Sequence, residues 1–438
     1  LGIKPLYYVL NNDEIIFSSS IKSILASNLV NRKISEEGLV DYLRYQTVHA
    51  PYTIIEGLFM LMPGQQITLS EEMEPKFKTY WNPTKDFYKA SNSLSDVQDQ
   101  VQNKLSESVE RRLVSDVPFG AFLSGGIDSS IIVALMSEKH DQKIDTFSVS
   151  FKEEEFSEAK YAKQVADLYK TNHHEIELGV DEFKELIPTA FKFMDHPSGD
   201  GLNTFVVSKK TKEVGIKMAL SGLGGDELFG GYSIFNQVPS LQSKKWLYSF
   251  PVYMRKPMGN LNHAIKGTIE SAKIREILKS PTFDLEYIYQ YYRQVSMDDQ
   301  VTSLLKTNNL PESRVLMDTH ELIGFKKQGW GLQPLSRISV AEMTTYMQNV
   351  LLRDADQMSM ANGLEVRVPF LDHELVSYVL GIRDAIKKPI TPKKLLVDSF
   401  QHLIPEEIHN RKKMGFVLPY ETWMKQELKE FCEERLNE

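Results

Sequence analysis

The chain has one cysteine, Cys432, among its 438 residues. An intramolecular disulfide, a CxxC redox pair and a multi-cysteine zinc site are therefore excluded, and the setting expected is reducing cytosol. No uninterrupted apolar run approaches the roughly 18 to 20 residues of a membrane span, and the first residues lack a signal-peptide pattern, so no membrane partner is expected. Excess positive charge is missing too. Lys and Arg number 51 against 59 Asp and Glu, a net charge of -8, which repels a phosphate backbone and removes nucleic acid from the expected partners. The phosphate-binding templates GxxxxGK[ST] and GxGxxG match neither glycine cluster. An initiator Met is absent, and Leu1 to Val9 reads as strand with no turn before it. An upstream segment is expected.

What is present is ordinary globular material, 42% hydrophobic and 25% charged. At roughly 100 to 200 residues per domain, two or three cores are predicted. Pro5 to Leu10, the turn residues Asn11, Asn12 and Asp13, and Glu14 to Ser18 read as a hairpin. Helices are predicted over Ile21 to Ala26 and over Ser35 to Tyr45, the second with Ser35 as N-cap. Composition shifts between about residues 78 and 95, which places a domain boundary there. Beyond it, Val101, Leu105, Val109 and Leu113 recur every fourth residue as one face of a helix. Strand-like runs then alternate with helices: Val117 to Leu123, Thr146 to Phe151, His174 to Leu178 and Ile216 to Leu220. That alternation predicts an α/β fold with a parallel sheet covered on both faces, and helices dominate after about Ser240.

The first strand of this series runs into Ser124-Gly125-Gly126-Ile127-Asp128-Ser129-Ser130, where an open parallel sheet puts its ligands. Glycines admit close backbone approach, and N–H groups at a helix start suit an anion such as phosphate. Asp128 beside them makes sense if it holds Mg²⁺ that bridges to phosphates. A plain glycine turn with an Asp cap is the competing reading for a lone SGG. A second loop, Leu220 to Tyr232, reads LSGLGGDELFGGY and again follows a strand. Two such loops at adjacent strand ends, each with an Asp, can grip one nucleotide and share its metal.

These two loops, LLRDADQMSMANGLEVRVPFLDHELV at Leu351 to Val376 and RKKMGF at Arg411 to Phe416 together resemble the glutamine-hydrolysing asparagine synthetase family. The blocks cover roughly residues 100 to 425 in order. LGIKPLYY, FSSSIKSILA and LMPGQQITL resemble the end of that family's N-terminal glutaminase domain. The resemblance implies an αββα N-terminal-nucleophile amidotransferase remnant over residues 1–80. A pyrophosphate-loop domain over 95–435, of the adenine nucleotide alpha hydrolase type with a helical C-terminal extension, is implied to follow. It implies ATP-dependent amidation of aspartate through β-aspartyl-AMP, with ammonia from glutamine, and leaves a homodimer open. Ser124, Gly125, Gly126, Asp128 and Ser129 match the family's pyrophosphate loop. Phe122 and Val149 stand where the adenine is lined, and Ser221 and Gly222 where the backbone meets the nucleotide. Asp128 and Asp226 match the Mg²⁺ carboxylates and Lys413 the phosphate-steadying lysine. Tyr232, Arg353, Glu365, Arg367 and Asp372 are expected to support or orient the substrate.

Two departures stand out. Leu223 occupies the position of a family glutamate associated with the acyl-adenylate, and leucine cannot accept a proton. Either Glu227 or another carboxylate covers that role, or the acceptor is a different carboxylate, such as a sugar acid of a surface polysaccharide. A non-catalytic homologue is the further alternative. The family's glutaminase cysteine would lie upstream of Leu1, and Cys432 is expected to be a partly buried apolar residue instead. Among the remaining features, His173 and His174 should point to opposite faces of a strand and so not chelate one ion. Lys387, Lys388, Lys393 and Lys394 read as a solvated basic face, and Tyr287, Tyr289, Tyr291 and Tyr292 as a packing surface.

Overall fold

A computed structural model describes residues 1–11, 14–71, 73–153, 157–307, 309–323, 331–387, 391–411, 414 and 418–437. They form two compact units. The first gathers Leu1–Asn92, Asp226–Val350 and Val376–Lys394; the second gathers Ser93–Gly225, Leu351–Leu375 and Leu395–Glu438.

In the first unit, β1 (Tyr7–Leu10) pairs antiparallel with β2 (Ile15–Ser18) and with β3 (Phe59–Met60). The expected hairpin is thus present, while Asn12 and Asp13 of its turn lie outside the described residues. β4 (Gln65–Leu69) and β5 (Pro75–Thr79) form a second antiparallel pair. The helix Glu36–Tyr45 starts on Ser35, whose hydroxyl accepts from the N–H of Gly38, with Glu36 and Glu37 in its first turn. Arg44 near its end donates to both carboxylate oxygens of Asp298, at 2.8 and 3.0 Å, and to Pro311 O at 2.8 Å. That fork ties the N-terminal elements to a layer of helices. Within the layer, Tyr289 of the helix Leu285–Arg293 is fully buried, its hydroxyl 2.7 Å from Thr345 Oγ1.

The second unit opens with the helix Leu94–Leu113, on which Val97, Val101, Leu105 and Val109 are completely buried and Leu113 is half-buried. Four further strands follow in β/α alternation: β6 (Phe119–Phe122), β7 (Asp145–Ser150), β8 (Asn172–Glu177) and β9 (Met218–Leu220). Two elements of this unit carry no clear sequence signal. The helix Gly201–Glu213 lacks a clear apolar stripe because it is buried on most sides, including Leu202, Phe205, Val206 and Val207. A three-residue strand, β10 (Glu365–Arg367), is too short for a period-two signal and forms by pairing with β9. The sheet order is β10-β9-β6-β7-β8, with every pairing parallel.

That order places a switch point between β6 and β9. The chain leaves β6 outward through β7 and β8, then returns to add β9 on the other side. Crevices outside the carboxyl ends of strands at such a point are where open α/β sheets bind ligands. Val149, Phe183, Phe205, Val206, Met358 and Trp423 belong to one buried cluster beside this sheet, and Cys432 packs on it half-buried, as its composition predicted.

Candidate functional site

The two glycine loops leave adjacent strands. Ala121 of β6 is paired with Leu220 of β9, so Ser124 to Ser130 and Ser221 to Gly225 emerge side by side. The first loop is held from within: Gly126 N–H donates to Ser124 Oγ at 3.3 Å, Ser129 Oγ donates to Gly126 O at 3.2 Å, and the two seryl oxygens are 3.1 Å apart. Gly126 opens the helix Ile127–Lys139 without a side-chain cap, so the first-turn N–H groups have no intrahelical acceptor. Gly125 has φ +71°, and a Cβ there would come within 2.5 Å of the main chain at Tyr161 and Ala162. Only glycine fits that position.

The second loop closes on Asp128. A Cβ on Gly222 would lie 2.8 Å from Asp128 Cβ, and one on Gly225 would lie 2.5 Å from its carboxylate carbon. The glycines therefore leave the room that the carboxylate occupies. Ser221 N–H donates to Arg367 O at 2.9 Å, which anchors this loop to β10. Leu223 is half-buried, with its N–H 3.4 Å from Ser221 Oγ.

A residue from the far end of the chain completes the first loop. Arg411 Nη2 donates to Gly125 O at 3.2 Å and to the buried carboxylate of Glu158 at 2.5 Å, and its guanidinium lies 4.4 Å from the Tyr161 ring centre. Its Nη1 is buried and has no hydrogen-bond partner among the described residues. A buried donor beside an uncapped helix start is the donor set a phosphate requires. Arg411 belongs to the RKKMGF block, but sequence spacing gave no sign that it reaches Gly125. For a cation the set is lean: no group of three or more His, Cys, Asp or Glu that could hold a metal occurs among the described residues. Asp128 beside a phosphate site still fits Mg²⁺, which takes one or two carboxylates and completes its shell with phosphate oxygens and water.

Phe122 ends β6 and Val149 is the penultimate residue of the neighbouring β7, Phe122 half-buried and Val149 within the core cluster. Four expected orienting residues have protein partners in the same unit. Arg353 pairs with His196 and with Asp354, the latter at 3.0 Å. Arg367 donates to Glu365 at 2.9 Å and to the carbonyls of Arg112 and Val114 at 2.9 and 2.8 Å. Asp372 accepts from Arg111 and Arg112 at 3.0 and 3.2 Å. Lys413 lies outside the described residues. His173 bonds to Thr146 and Ser148, whereas His174 bonds to Asp145 and stacks on Phe147. Even- and odd-numbered partners on β7 confirm opposite faces.

Asp226 and Tyr232 lie in the first unit. Asp226 Oδ1 is 2.7 Å from Lys393 Nζ, and Gly231 leaves space for that pair, since a Cβ there would meet both side chains. Glu227 is buried and accepts a hydrogen bond of 2.7 Å from Tyr232 Oη. Burial, followed by the charge of Asp226, pushes the Glu227 carboxyl up to about 7. The same burial, next to Glu227, holds the Tyr232 hydroxyl well above its ordinary value. The reading of the lysines as a solvated basic face needs correction. Lys393 and Lys387 are both buried, Lys387 donates to Ser336 Oγ at 2.6 Å, and burial lowers its ammonium to about 8. Lys388 lies outside the described residues.

A parallel sheet with an uncapped glycine loop at its switch point, faced by a second glycine loop, defines an α/β protein of the nucleotide-binding kind. Comparison with known proteins narrows the class. The family model described as asparagine synthase matches residues 100–438, and that described as glutamine amidotransferase domain matches residues 1–81. The chain is 32% identical over 442 residues to glutamine-hydrolyzing asparagine synthetase 1 of Bacillus subtilis, covering 100% of this chain and 67% of that protein. It is 38% identical over 237 residues to a putative asparagine synthetase of Methanocaldococcus jannaschii, covering 53% of this chain and 45% of that one. It is 25% identical over 466 residues to a Gibberella zeae protein named amidase chry2, covering 96% and 67%. The chain belongs to the asparagine synthase family, and it spans about two thirds of the length of such relatives.

Proposed function

We propose that this chain catalyses ATP-dependent amidation of a carboxylate, with release of AMP and pyrophosphate, and that aspartate is the leading acceptor. The supporting observation is the meeting of two glycine loops at adjacent parallel strand tips, with Asp128 beneath Gly222 and Gly225. The physical need is clear. A carboxylate resists a neutral amine until one of its oxygens becomes a good leaving group, and ATP supplies that group as AMP. In this reading the helix start after Gly126 and the buried Nη1 of Arg411 donate hydrogen bonds to the phosphates. Asp128 would hold Mg²⁺, with Lys413 steadying the phosphates and Phe122 and Val149 against the adenine. Tyr232 and Glu227 form a hydrogen-bonded pair able to keep a proton near neutral pH. Residues 1–80 act as part of a glutaminase domain and 95–435 as the synthetase domain, with glutamine or free ammonia as the nitrogen source in a cytoplasmic protein.

Leu223 favours a second acceptor reading, because the expected glutamate carboxyl is absent from that position. A carboxylate other than aspartate, such as a sugar acid, then takes its place with the same chemistry. The experiment is carboxylate-dependent exchange of labelled pyrophosphate into ATP, run with aspartate and with a panel of uronic acids. Exchange with aspartate and formation of asparagine from ammonia supports the leading reading, and exchange with a uronic acid alone supports the second. No exchange with any carboxylate removes both.

A further inference from the structure

Between Glu227 and Glu270 the chain carries no Asp or Glu, although it holds 59 of them in all. The same interval carries Lys244, Lys245, Arg255, Lys256 and Lys266. A protein of net charge -8 therefore has one positive stretch without an internal counter-charge. Its basic residues lie on the short turn Lys245–Ser249, just before it and on the helix Val252–Lys266, which Gly267 at φ +61° separates from the helix Ile269–Lys279.

The helix Val252–Lys266 is laid with a polar side inward. Arg255 is 3% exposed, donates to Phe250 O at 3.0 Å and Ser280 O at 3.1 Å, and sits 4.5 Å from the Tyr248 ring centre. Gly259 packs on the backbone of Arg275, and His263 Nδ1 lies 2.9 Å from Ser271 Oγ. Away from that side, Met254, Met258, Leu261 and Ile265 recur at helical spacing and are 45 to 75% exposed. Trp246 and Tyr253 flank them at 63 and 75%. Lys244, Lys256 and Lys266 of the same segment are exposed, Lys256 on another side of the helix from the stripe. Single exposed apolar side chains need no explanation, but a continuous helical stripe in contact with water does.

We propose that this face docks on a membrane surface rich in anionic lipid, the helix lying in the headgroup plane. The parts match such an interface: an apolar stripe to enter the acyl boundary, Trp and Tyr to sit at headgroup level, and lysines to meet lipid phosphates. The overall negative charge does not prevent this, because salt screens charges beyond about 8 to 10 Å and the segment itself carries lysines and no acid. A span is not involved, since no helix among the described residues is long and apolar enough to cross a bilayer. A second copy of the chain is the poorer occupant. A two-fold contact would set this lysine-bearing stretch, which has no acid of its own, against itself.

Sedimentation of the whole chain with vesicles tests the proposal. The chain is expected to sediment with vesicles containing about one third phosphatidylserine and to stay in solution with pure phosphatidylcholine. High salt should release it, and the Trp246 emission, taken as the difference between the parent and Trp246→Phe, should shift to the blue on binding. The pair Leu261→Glu and Ile265→Glu should lower vesicle partitioning at least about tenfold. Both positions face water, so an unchanged thermal midpoint checks that the fold is intact. If the folded pair binds as well as the parent, a single exposed-lysine change such as Lys256→Glu serves as the second test, and binding unaffected by either overturns the proposal. Equal binding to both vesicle types, or none to either, also overturns it. So does a dimer that the glutamate pair disrupts in the absence of vesicle binding, or binding to polyglutamate but not to phosphatidylserine.

Discussion

The glycine loops of the second unit and the polar pairs of the first place their polar groups in different ways. The glycine loops present mainly main-chain atoms, and most of their side chains are small: Ser124, Gly125, Gly126, Ser129, Ser221 and Gly222. In the first unit the polar groups are long side chains that satisfy one another out of water, as in Asp226 with Lys393, Glu227 with Tyr232, and Arg293 with the fully buried Glu342. A backbone site needs only the right turn, whereas a buried side-chain pair needs both partners. Substitutions should therefore separate the units: chemistry lost with the fold kept in the second, fold weakened in the first.

The sharpest break expected is Asp128→Ala. Carboxylate-dependent pyrophosphate exchange should fall roughly a hundredfold or more, with a denaturant midpoint close to the parent's. A large fall in the midpoint would show that Asp128 is structural and would erase the contrast. Next is Lys393→Met, which removes the buried ammonium beside Asp226 and should cost about 3 kcal/mol in urea unfolding. Adding Asp226→Asn should recover most of that loss, and a double variant no more stable than the single would contradict the pairing. Arg411→Lys keeps a charge near Glu158 but loses the second guanidinium arm. It should raise KM for ATP about tenfold with little change in kcat, whereas an unchanged KM would leave Nη1 without a role.

The smallest effect concerns pH. Burial pushes the folded carboxyl of Glu227 up to about 7, above its ordinary value of 4.5. The folded state therefore holds a proton that the unfolded chain releases. The stability tied to that proton is complete below about 4.5 and is lost as pH rises through about 7. Glu227→Gln cannot ionise, so its thermal midpoint should decline less than the parent's between pH 5 and 8. Parallel declines would show that the proton sits elsewhere.

Legibility followed the same division. The loop Ser124 to Ser130 could be read because strand, turn and helix are consecutive, and glycines with an Asp at a helix start restrict the chemistry before any packing is known. The hairpin Tyr7–Leu10 with Ile15–Ser18 and the capped helix after Ser35 were legible for the same local reason. Lys393 was not. A lysine reads as solvated until its acid is known, and Asp226 is distant in sequence. The helix Val252–Lys266 was legible only as part of the helical region after about Ser240, and its apolar spacing alone does not say which side faces inward. The structure turns Arg255 inward, against two carbonyls and an aromatic ring. The expectation of no membrane partner rested on the lack of a spanning run, a test to which a helix lying on a surface is invisible.

By itself the sequence determined the alternation of strands and helices, the two glycine turns, the carboxylate beside the first of them and the kinship with one family of synthetases. These depend on residues within a few positions of one another. Tertiary structure decided that β9 returns beside β6, that Arg411 reaches Gly125 O from 286 residues away, and which lysines leave water. Such contacts depend on where the folded chain comes back, and no local period records that.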